Sequence, residues 1–465
     1  ISASLGTTFI PMFFSIREKK GIDEVYKFTS NVLNIVTVIS MILIVIGILF
    51  APYIVKIFAM GFKGEVLDLT ISYSRILIFS MIFIAINGLI TSFLVASGDV
   101  HISGLITIPF NIFVMIAIAL GSITNSYFMV YGTLFAYIAQ LLFQIPFLFK
   151  HGYKYKFIID FKDENIIKIL YLILPVFLGS YVNQINTVVN RTLASTLDTG
   201  SITALNYANK LNVFAIGILV ISISTIMYPI LSKFASQNNM KAFKGSLIRC
   251  INLVIIIMLP IMVGMMVFAT PIVSLLFEGG SFSSRDTFLT STALLFYALG
   301  MVSFGIRDML SRGFYSLQDT KTPVKNAVAA VFVDIVFSII LVKIMGIGGL
   351  ALSTSISVTF GAILLMVALR KKIGRLGIKS SVITFLKAIT ASLIMGLTVN
   401  KLYKFIITIG DSFIDEKKHL IFLGLTIATT IGALIYLILS VIFNIKEVKD
   451  VLKQLKSRIL ILLKK

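Results

Sequence analysis

Residues 30–57 read SNVLNIVTVISMILIVIGILFAPYIVKI, 28 residues with no charge before Lys56. A helix rises about 1.5 Å per residue, so this run more than spans the roughly 30 Å hydrocarbon of a bilayer. Further apolar runs follow at 69–96, 102–122, 127–149, 167–195, 203–231, 249–276, 289–315, 326–345, 350–369, 382–403 and 420–443, with a shorter one at 1–16. Segments taken into lipid must pair their own backbone groups, so these roughly thirteen runs are predicted to be helices. The ten-residue alternation of an outer-membrane barrel is absent.

Composition agrees. The 465 residues are 58% hydrophobic and 13% charged, with mean hydropathy +1.00. Soluble domains carry about 25% charged residues. A soluble enzyme, a secreted disulfide scaffold and a disordered chain are therefore excluded, and an all-α polytopic membrane protein is expected. Cys250 is the sole cysteine, and His101, His151 and His419 lack metal-ligand spacing, so no metal or other cofactor is expected.

The net charge of +21 would suggest nucleic acid on a soluble domain. Here the Lys and Arg residues gather in alternate loops, about 27 on one side against about 8 on the other, which makes the rich side cytoplasmic. That side holds Lys150, Lys154, Lys156 and Lys162, then Arg370, Lys371 and Lys372. It also holds the 444–465 tail, whose lysines alternate with apolar residues at helical spacing and are expected to lie on the anionic inner leaflet. Membrane lipids are thus expected partners and nucleic acid is not.

An internal repeat runs through the chain. Ala51-Pro52-Tyr53-Ile54-Val55-Lys56-Ile57-Phe58 aligns with Thr270-Pro271-Ile272-Val273-Ser274-Leu275-Leu276-Phe277, and Ala96-Ser97-Gly98-Asp99 with Ser316-Leu317-Gln318-Asp319. Thr8-Phe9-Ile10-Pro11 faces Ile226-Met227-Tyr228-Pro229 at nearly the same offset. Two parallel six-helix lobes plus two extra C-terminal helices follow, an arrangement found in transporters that rock one repeat against the other. The predicted organisation is an N-lobe over 1–150, a cytoplasmic linker over 151–166, a C-lobe over 167–372, two further helices within 373–443 and the basic tail. Running the offset backwards leaves the first lobe short by about one and a half helices, so roughly 50 residues are expected before Ile1.

Charges inside apolar runs need a cavity, a partner or a purpose, because one at the bilayer centre costs at least ~2.5–3.5 kcal/mol. Lys210 stands about two turns inside its helix, with Thr203 and Asn206 on the same polar stripe and Asn209 beside it. Arg191 closes the preceding helix among Asn183, Gln184, Asn186 and Asn190. Together they suit a water-filled chamber for an anion. Arg191 otherwise snorkels to the outer interface beside Asp198, and Arg75 either lines the first lobe's side of the chamber or does likewise. Arg307, Asp308 and Arg312 share one helix, with Asp308 and Arg312 spaced as an i, i+4 pair that suits helix packing. Asp334 is the one carboxylate well inside a span, either partner to a buried cation or a site coupled to a monovalent ion. No nucleotide-binding loop or catalytic constellation is present, so the chain reads as a non-enzyme whose energy comes from ion gradients, the membrane potential or the substrate's own gradient.

Several of these residues are familiar. Gly200-Ser201-Ile202-Thr203-Ala204-Leu205-Asn206-Tyr207-Ala208-Asn209-Lys210-Leu211, Tyr228-Pro229-Ile230-Leu231-Ser232-Lys233, Leu276-Phe277-Glu278-Gly279-Gly280-Ser281-Phe282 and the run Arg312–Lys325, with Phe314-Tyr315-Ser316 and Asp319-Thr320-Lys321-Thr322-Pro323, resemble the MurJ/MviN lipid II flippases of the MOP transporter superfamily. The resemblance covers nearly the whole chain. It implies fourteen helices in the bacterial cytoplasmic membrane, and export of an undecaprenyl-diphosphate-linked peptidoglycan precursor through a central cationic cavity. The last two helices would supply a groove for the lipid tail. The family's cavity arginine falls on Lys210, its neighbouring acid on Asn209 and a cavity serine on Thr203, departures that leave room for another lipid-linked oligosaccharide or another exporter of the superfamily. A monomer that meets the cell-wall synthesis machinery is the implied assembly.

Overall fold

The computed structural model describes residues 2–99, 101–413 and 416–450, with side chains throughout except at 2–7, 170, 172–183, 221 and 225. Asn183 and the tail beyond Asp450, both singled out in the sequence, lie outside the described side chains and residues. The chain packs as two units, residues 1–184 and 185–465.

The first unit contains α1 (Ser2–Lys20), α2 (Ile22–Phe58), α3 (Gly64–Leu77), α4 (Ser80–Ala96), α5 (Ile102–Leu105), α6 (Thr107–Ile123) and α7 (Tyr127–Lys150). α8 (Glu164–Ala194) leads into the second unit, which holds α9 (Ser201–Ser236), α10 (Met240–Val267), α11 (Ala269–Phe277), α12 (Ser284–Ala298) and α13 (Met301–Ser316). It ends with α14 (Lys321–Met345), α15 (Ile347–Ile373), α16 (Lys379–Gly410) and α17 (Lys417–Ile442). Taking α3 with α4, α5 with α6, α10 with α11 and α12 with α13 as broken rods, these fall on the thirteen apolar runs read from the sequence. Ten spans among the described residues are long and apolar enough to cross a membrane, or eleven with the bent α12–α13 pair.

The repeat is written into the helix bounds. The broken rod Gly64–Ala96 and the broken rod Ser284–Ser316 stand 220 residues apart at both ends, and α7 and α15 begin 220 residues apart. Both rods break near their middle, at Ile78-Phe79 and at Leu299-Gly300, the second with a 45° bend. No proline stands at either break. In the second unit the cause is on the neighbouring helix: Ser355 Oγ of α15 donates to the Phe296 carbonyl at 2.6 Å and reaches the Tyr297 carbonyl at 3.3 Å. A carbonyl turned away from its helical partner thus meets a hydroxyl instead. Gly300 makes room for this contact, since a Cβ there would stand 3.0 Å from the Ser355 Cα.

A second repeated joint lies at one end of each unit. Asp99, in the turn after α4, meets the Nε2 of His151 at 2.6 Å, just past α7. Asp319, in the turn after α13, meets Lys372 Nζ at 2.5 Å, in the last turn of α15. The Lys372 ammonium and the Thr322 backbone amide hold the Asp319 carboxyl down at about 2.

Each unit has its own core. Phe9 stacks on Phe28 at 5.6 Å and Phe13 meets Phe93 edge-on, joining α1, α2 and α4. In the second unit Phe243, Leu247, Met258 and Phe314 are among the side chains closing α10 against α13, and Met395 and Val399 bring in α16. Past α17, Ile445 and Val448 are buried in that core and Glu447 accepts from Asn252 of α10 at 2.5 Å. The start of the tail is therefore docked on the protein, where the sequence pattern suggested a lipid surface.

Two predictions follow from this packing. A Cβ on Gly132 of α7 would fall 2.1 Å from the Cβ of Ala117 on α6, whereas one on Gly217 of α9 meets nothing within 4 Å. Gly132→Leu is expected to destabilise by about 1–3 kcal/mol, seen as a lower thermal midpoint in detergent, with Gly217→Leu close to wild type. The Asp319 carboxyl is depressed in the folded state, so its stabilisation is complete above the unfolded carboxyl range near 4 and is lost as pH falls toward about 2. The midpoint gap between wild type and Asp319→Asn is expected to be constant from pH 7 to 5 and to close below pH 4.

Candidate functional site

The turn that joins α8 to α9 sets the site. Gly200 takes φ +95°, a left-handed conformation that glycine adopts without strain, and α9 starts on the next residue. Asp198 in that turn pairs with Arg285 at 2.7 Å. Beside it Ser283 and Asp286 form a capping box on α12, whose hydrogen bonds lower the Asp286 carboxyl below its ordinary range. The sequence offered Asp198 as a companion for Arg191, and the structure corrects this: Arg285 holds the carboxylate from 87 positions away.

Arg191 instead donates to the Asn206 Oδ1 at 3.3 Å, a neutral partner that leaves its charge uncancelled. Around it opens a cleft of about 120 Å³, whose polar wall is Asn186, Asn190, Arg191, Asn206, Asn209 and Thr354. From this wall a hydrogen-bonded series runs inward. Asn190 Nδ2 donates to Asn186 Oδ1 at 3.3 Å and lies 3.4 Å from Thr354 Oγ1, and its Oδ1 faces Ser338 Oγ at 2.9 Å. Asn186 Nδ2 donates to the Asp334 carboxylate, and Ser338 Oγ lies 3.2 Å from its other oxygen and 2.6 Å from Ser353 Oγ. Asp334 is fully buried, and among the described residues no cation stands within ion-pair distance of it. Of the two readings of this carboxylate, the buried-cation partner finds no support in the described residues. A guanidinium thus stands on the same cleft wall as Asn190, where the series starts, and an acid met among the described residues only by amides and hydroxyls marks its inner end.

The polar stripe of α9 divides. Residues of an α-helix advance about 100° each, so a face centred on Ile202, Leu205 and Asn209 leaves Lys210 roughly a quarter-turn away. Lys210 accordingly does not line the cleft. It is exposed, with Nζ 5.5 Å from the Tyr207 ring centroid, a cation–π contact and no acid within 4 Å among the described residues. Tyr207 itself packs on Phe277 at 4.5 Å and Phe282 at 5.9 Å, the aromatic ends of the Phe-Glu-Gly-Gly-Ser-Phe turn. Thr203 is exposed on the same side of α9.

Other singled-out charges lie elsewhere. Arg75 is exposed in the last turn of α3, in the first unit, without an acid in ion-pair range among the described residues. Arg312 Nε stands 3.7 Å from Asp308 as the i, i+4 pair expected, while Asp308 also accepts from Ser224 and Arg312 lies over the Tyr228 ring, both on α9. Arg307 runs past Gly361 of α15, its Cδ 3.4 Å from where a Cβ would be. This trio ties α13 to α9 and α15. Sequence reasoning missed Ser338, Ser353, Thr354 and Tyr297, although the Ser353-Thr354-Ser355-Ile356-Ser357 run, dense in hydroxyls within an apolar span, was a signal for a polar seam. Among the described residues no cluster of His, Cys, Asp and Glu suits a metal ion.

These features can be set beside known proteins. The family model described as "Lipid II flippase MurJ" matches residues 2–413. A "Probable lipid II flippase MurJ" of Buchnera aphidicola subsp. Schizaphis graminum is 30% identical over 75% of this chain and 69% of its own. A "Lipid II flippase MurJ" of Burkholderia cenocepacia is 25% identical over 78% and 72%. A solved "Lipid II flippase MurJ, inward closed conformation" superposes with a TM-score of 0.80 at 28% identity, over 97% of this chain and 88% of that one. A multidrug resistance MATE family transporter of the MOP superfamily follows at 0.68 and 17% identity, a likeness of fold alone. The helix order, the 220-residue repeat and the match over nearly the whole sequence agree, and the chain belongs to the MurJ lipid II flippase family.

Proposed function

We propose that this multi-pass protein of the bacterial cytoplasmic membrane moves lipid II, the polyprenyl-diphosphate-linked precursor of peptidoglycan, from the inner to the outer leaflet by alternating access. The observation that carries the reading is the Arg191 guanidinium, held in a polar cleft by an amide and by no acid. A diphosphate supplies the negative charge such a group lacks, and charge-assisted hydrogen bonds are worth about 1.5–3 kcal/mol each. Asn206 and Asn209 offer amides to head-group oxygens at the same wall. Lys210, oriented by the Tyr207 ring, adds a second positive charge nearby and Thr203 a hydroxyl. Arg75 is the first unit's candidate substrate cation.

Asp334 is the candidate coupling site. A carboxylate met only by neutral groups in a buried place is stabilised by taking up a proton or a monovalent cation, and its hydrogen-bonded series reaches Asn190 on the cleft wall. Binding of the counter-charge and occupation of the cleft would then be linked through α8, α14 and α15. The superfamily's drug exporters share this fold at low identity, and nothing at the cleft favours a cationic drug over an anion.

The test is translocation of lipid II by the reconstituted chain, with complementation of a flippase-depleted strain as its counterpart in cells. Arg191→Ala and Lys210→Ala are each expected to lower the rate by about 10–100-fold, the loss of one charge-assisted bond. Lys210→Arg is expected to keep it, because the charge stays and gains a bidentate fork. Asp334→Asn is expected to remove the dependence of the rate on an imposed ion gradient. Unchanged growth and rate in Arg191→Ala and Lys210→Ala together would overturn the anion reading.

A further inference from the structure

Between α7 and α8 the chain runs extended through residues 153–160, and this strap is fastened to one face of α2. Tyr26, Ser30, Asn31 and Asn34 are the fastenings. The Tyr26 hydroxyl donates to the His151 carbonyl at 2.7 Å, and Ser30 Oγ meets the Tyr153 hydroxyl at 2.7 Å while accepting from the Lys156 amide at 3.1 Å. Asn34 Nδ2 donates to the Ile158 carbonyl at 2.9 Å, and Asn31 takes the Asp160 amide at 2.8 Å while donating to its carbonyl at 3.0 Å. Ser30, Asn31 and Asn34 are all buried by this arrangement, and burial raises the Tyr153 hydroxyl above its ordinary range.

The order of fastenings gives the strap a direction. It starts at Ser30, advances along α2 to Asn34 near Ile158, and returns to Asn31 at Asp160. Its far point carries Phe157, 78% exposed. Lys27 is the last charge of α2 before Lys56, and Asn34, two turns on, is its last amide before the apolar run. The tip of the strap therefore stands at the level where α2 passes from headgroups into hydrocarbon. Tyr153 is buried and Tyr155 turns its hydroxyl to Asn34 Oδ1 at 2.8 Å, whereas Phe157 and Ile159, with Phe161 in the turn that follows, stand exposed. Interleaved with them, residues 150–163 carry four lysines against two aspartates.

We propose that this strap is an interfacial anchor, with Phe157 seated among the upper acyl chains of the inner leaflet and Lys154, Lys156 and Lys162 on anionic phospholipid headgroups. Aromatic side chains favour this depth, and clustered lysines at a cytoplasmic membrane face bind anionic lipid. The occupant is bulk anionic lipid: Phe157 and Ile159 stand exposed on a backbone fixed to α2, and their charge flank is positive.

These 465 residues contain no tryptophan, so Phe157→Trp introduces a single reporter among them. Reconstituted in vesicles of mixed phosphatidylcholine and phosphatidylglycerol, it is expected to emit at blue-shifted wavelength. Lipids brominated near the headgroup should quench it more than lipids brominated at the chain ends, and iodide present on both sides should quench it weakly. Lys154→Gln, Lys156→Gln and Lys162→Gln combined, or vesicles of phosphatidylcholine alone, are expected to cut the shallow-lipid quenching at least twofold and raise iodide quenching correspondingly. Phe161→Trp, at a second exposed position, repeats the measurement should Phe157→Trp fail to fold. Strong iodide quenching without lipid quenching would place the strap in water or under a protein partner and overturn the anchor. Lipid quenching indifferent to both the lysines and the anionic lipid would overturn the role of charge.

Discussion

Hydrocarbon offers no hydrogen bonds, so every carbonyl, amide and carboxylate carried into the bilayer must be met by the chain itself. That constraint explains where this protein's polar residues sit. Asn87, Thr91, Gln140 and Gln144 answer one another between α4 and α7 of the first unit, with Gln144 Nε2 donating to Asn87 Oδ1 at 2.9 Å and Thr91 to Gln144 at 2.9 Å. In the second unit Ser357 donates to the Ala330 carbonyl at 2.6 Å across α14 and α15. Such bonds specify which helix faces which where apolar packing alone would allow several answers. The series from Asn190 to Asp334 obeys the same rule and departs from it at its inner end, where among the described residues no cation answers the acid.

Duplication supplied the frame and divergence supplied the chemistry. Both units keep the broken rod and the joint between an aspartate turn and a basic residue 52 or 53 positions on. Among the described residues a carboxylate stands in the buried seam of the second unit, whereas the first meets the same need with uncharged amides.

Much of the fold was legible because span length is set by the bilayer rather than by neighbours: the apolar runs and the helices coincide rod for rod. The breaks at Ile78-Phe79 and Leu299-Gly300 were not, since neither carries a proline and the second depends on Ser355, more than fifty positions away. Arg191 was found by its position among amides, while the alternative that set it beside Asp198 rested on proximity in sequence, and the fold gave that carboxylate to Arg285. Lys210 illustrates the limit of helical spacing: a quarter-turn moves a side chain from the cleft to an aromatic ring without changing the pattern. The strap was invisible for a simpler reason, as the asparagines that hold it precede it by more than 120 residues.

The bend at Leu299-Gly300 differs in kind from one made by proline. A proline angle is fixed by covalent structure, whereas at this one a hydroxyl on another helix meets the Phe296 carbonyl, which the rod would otherwise use internally. Without that hydroxyl the Phe296 carbonyl would be left to the Gly300 amide, its partner in an unbroken helix, which here turns to the Tyr297 carbonyl at 3.1 Å. The bend is thus held by the side-chain chemistry of a second helix rather than by the covalent geometry of its own.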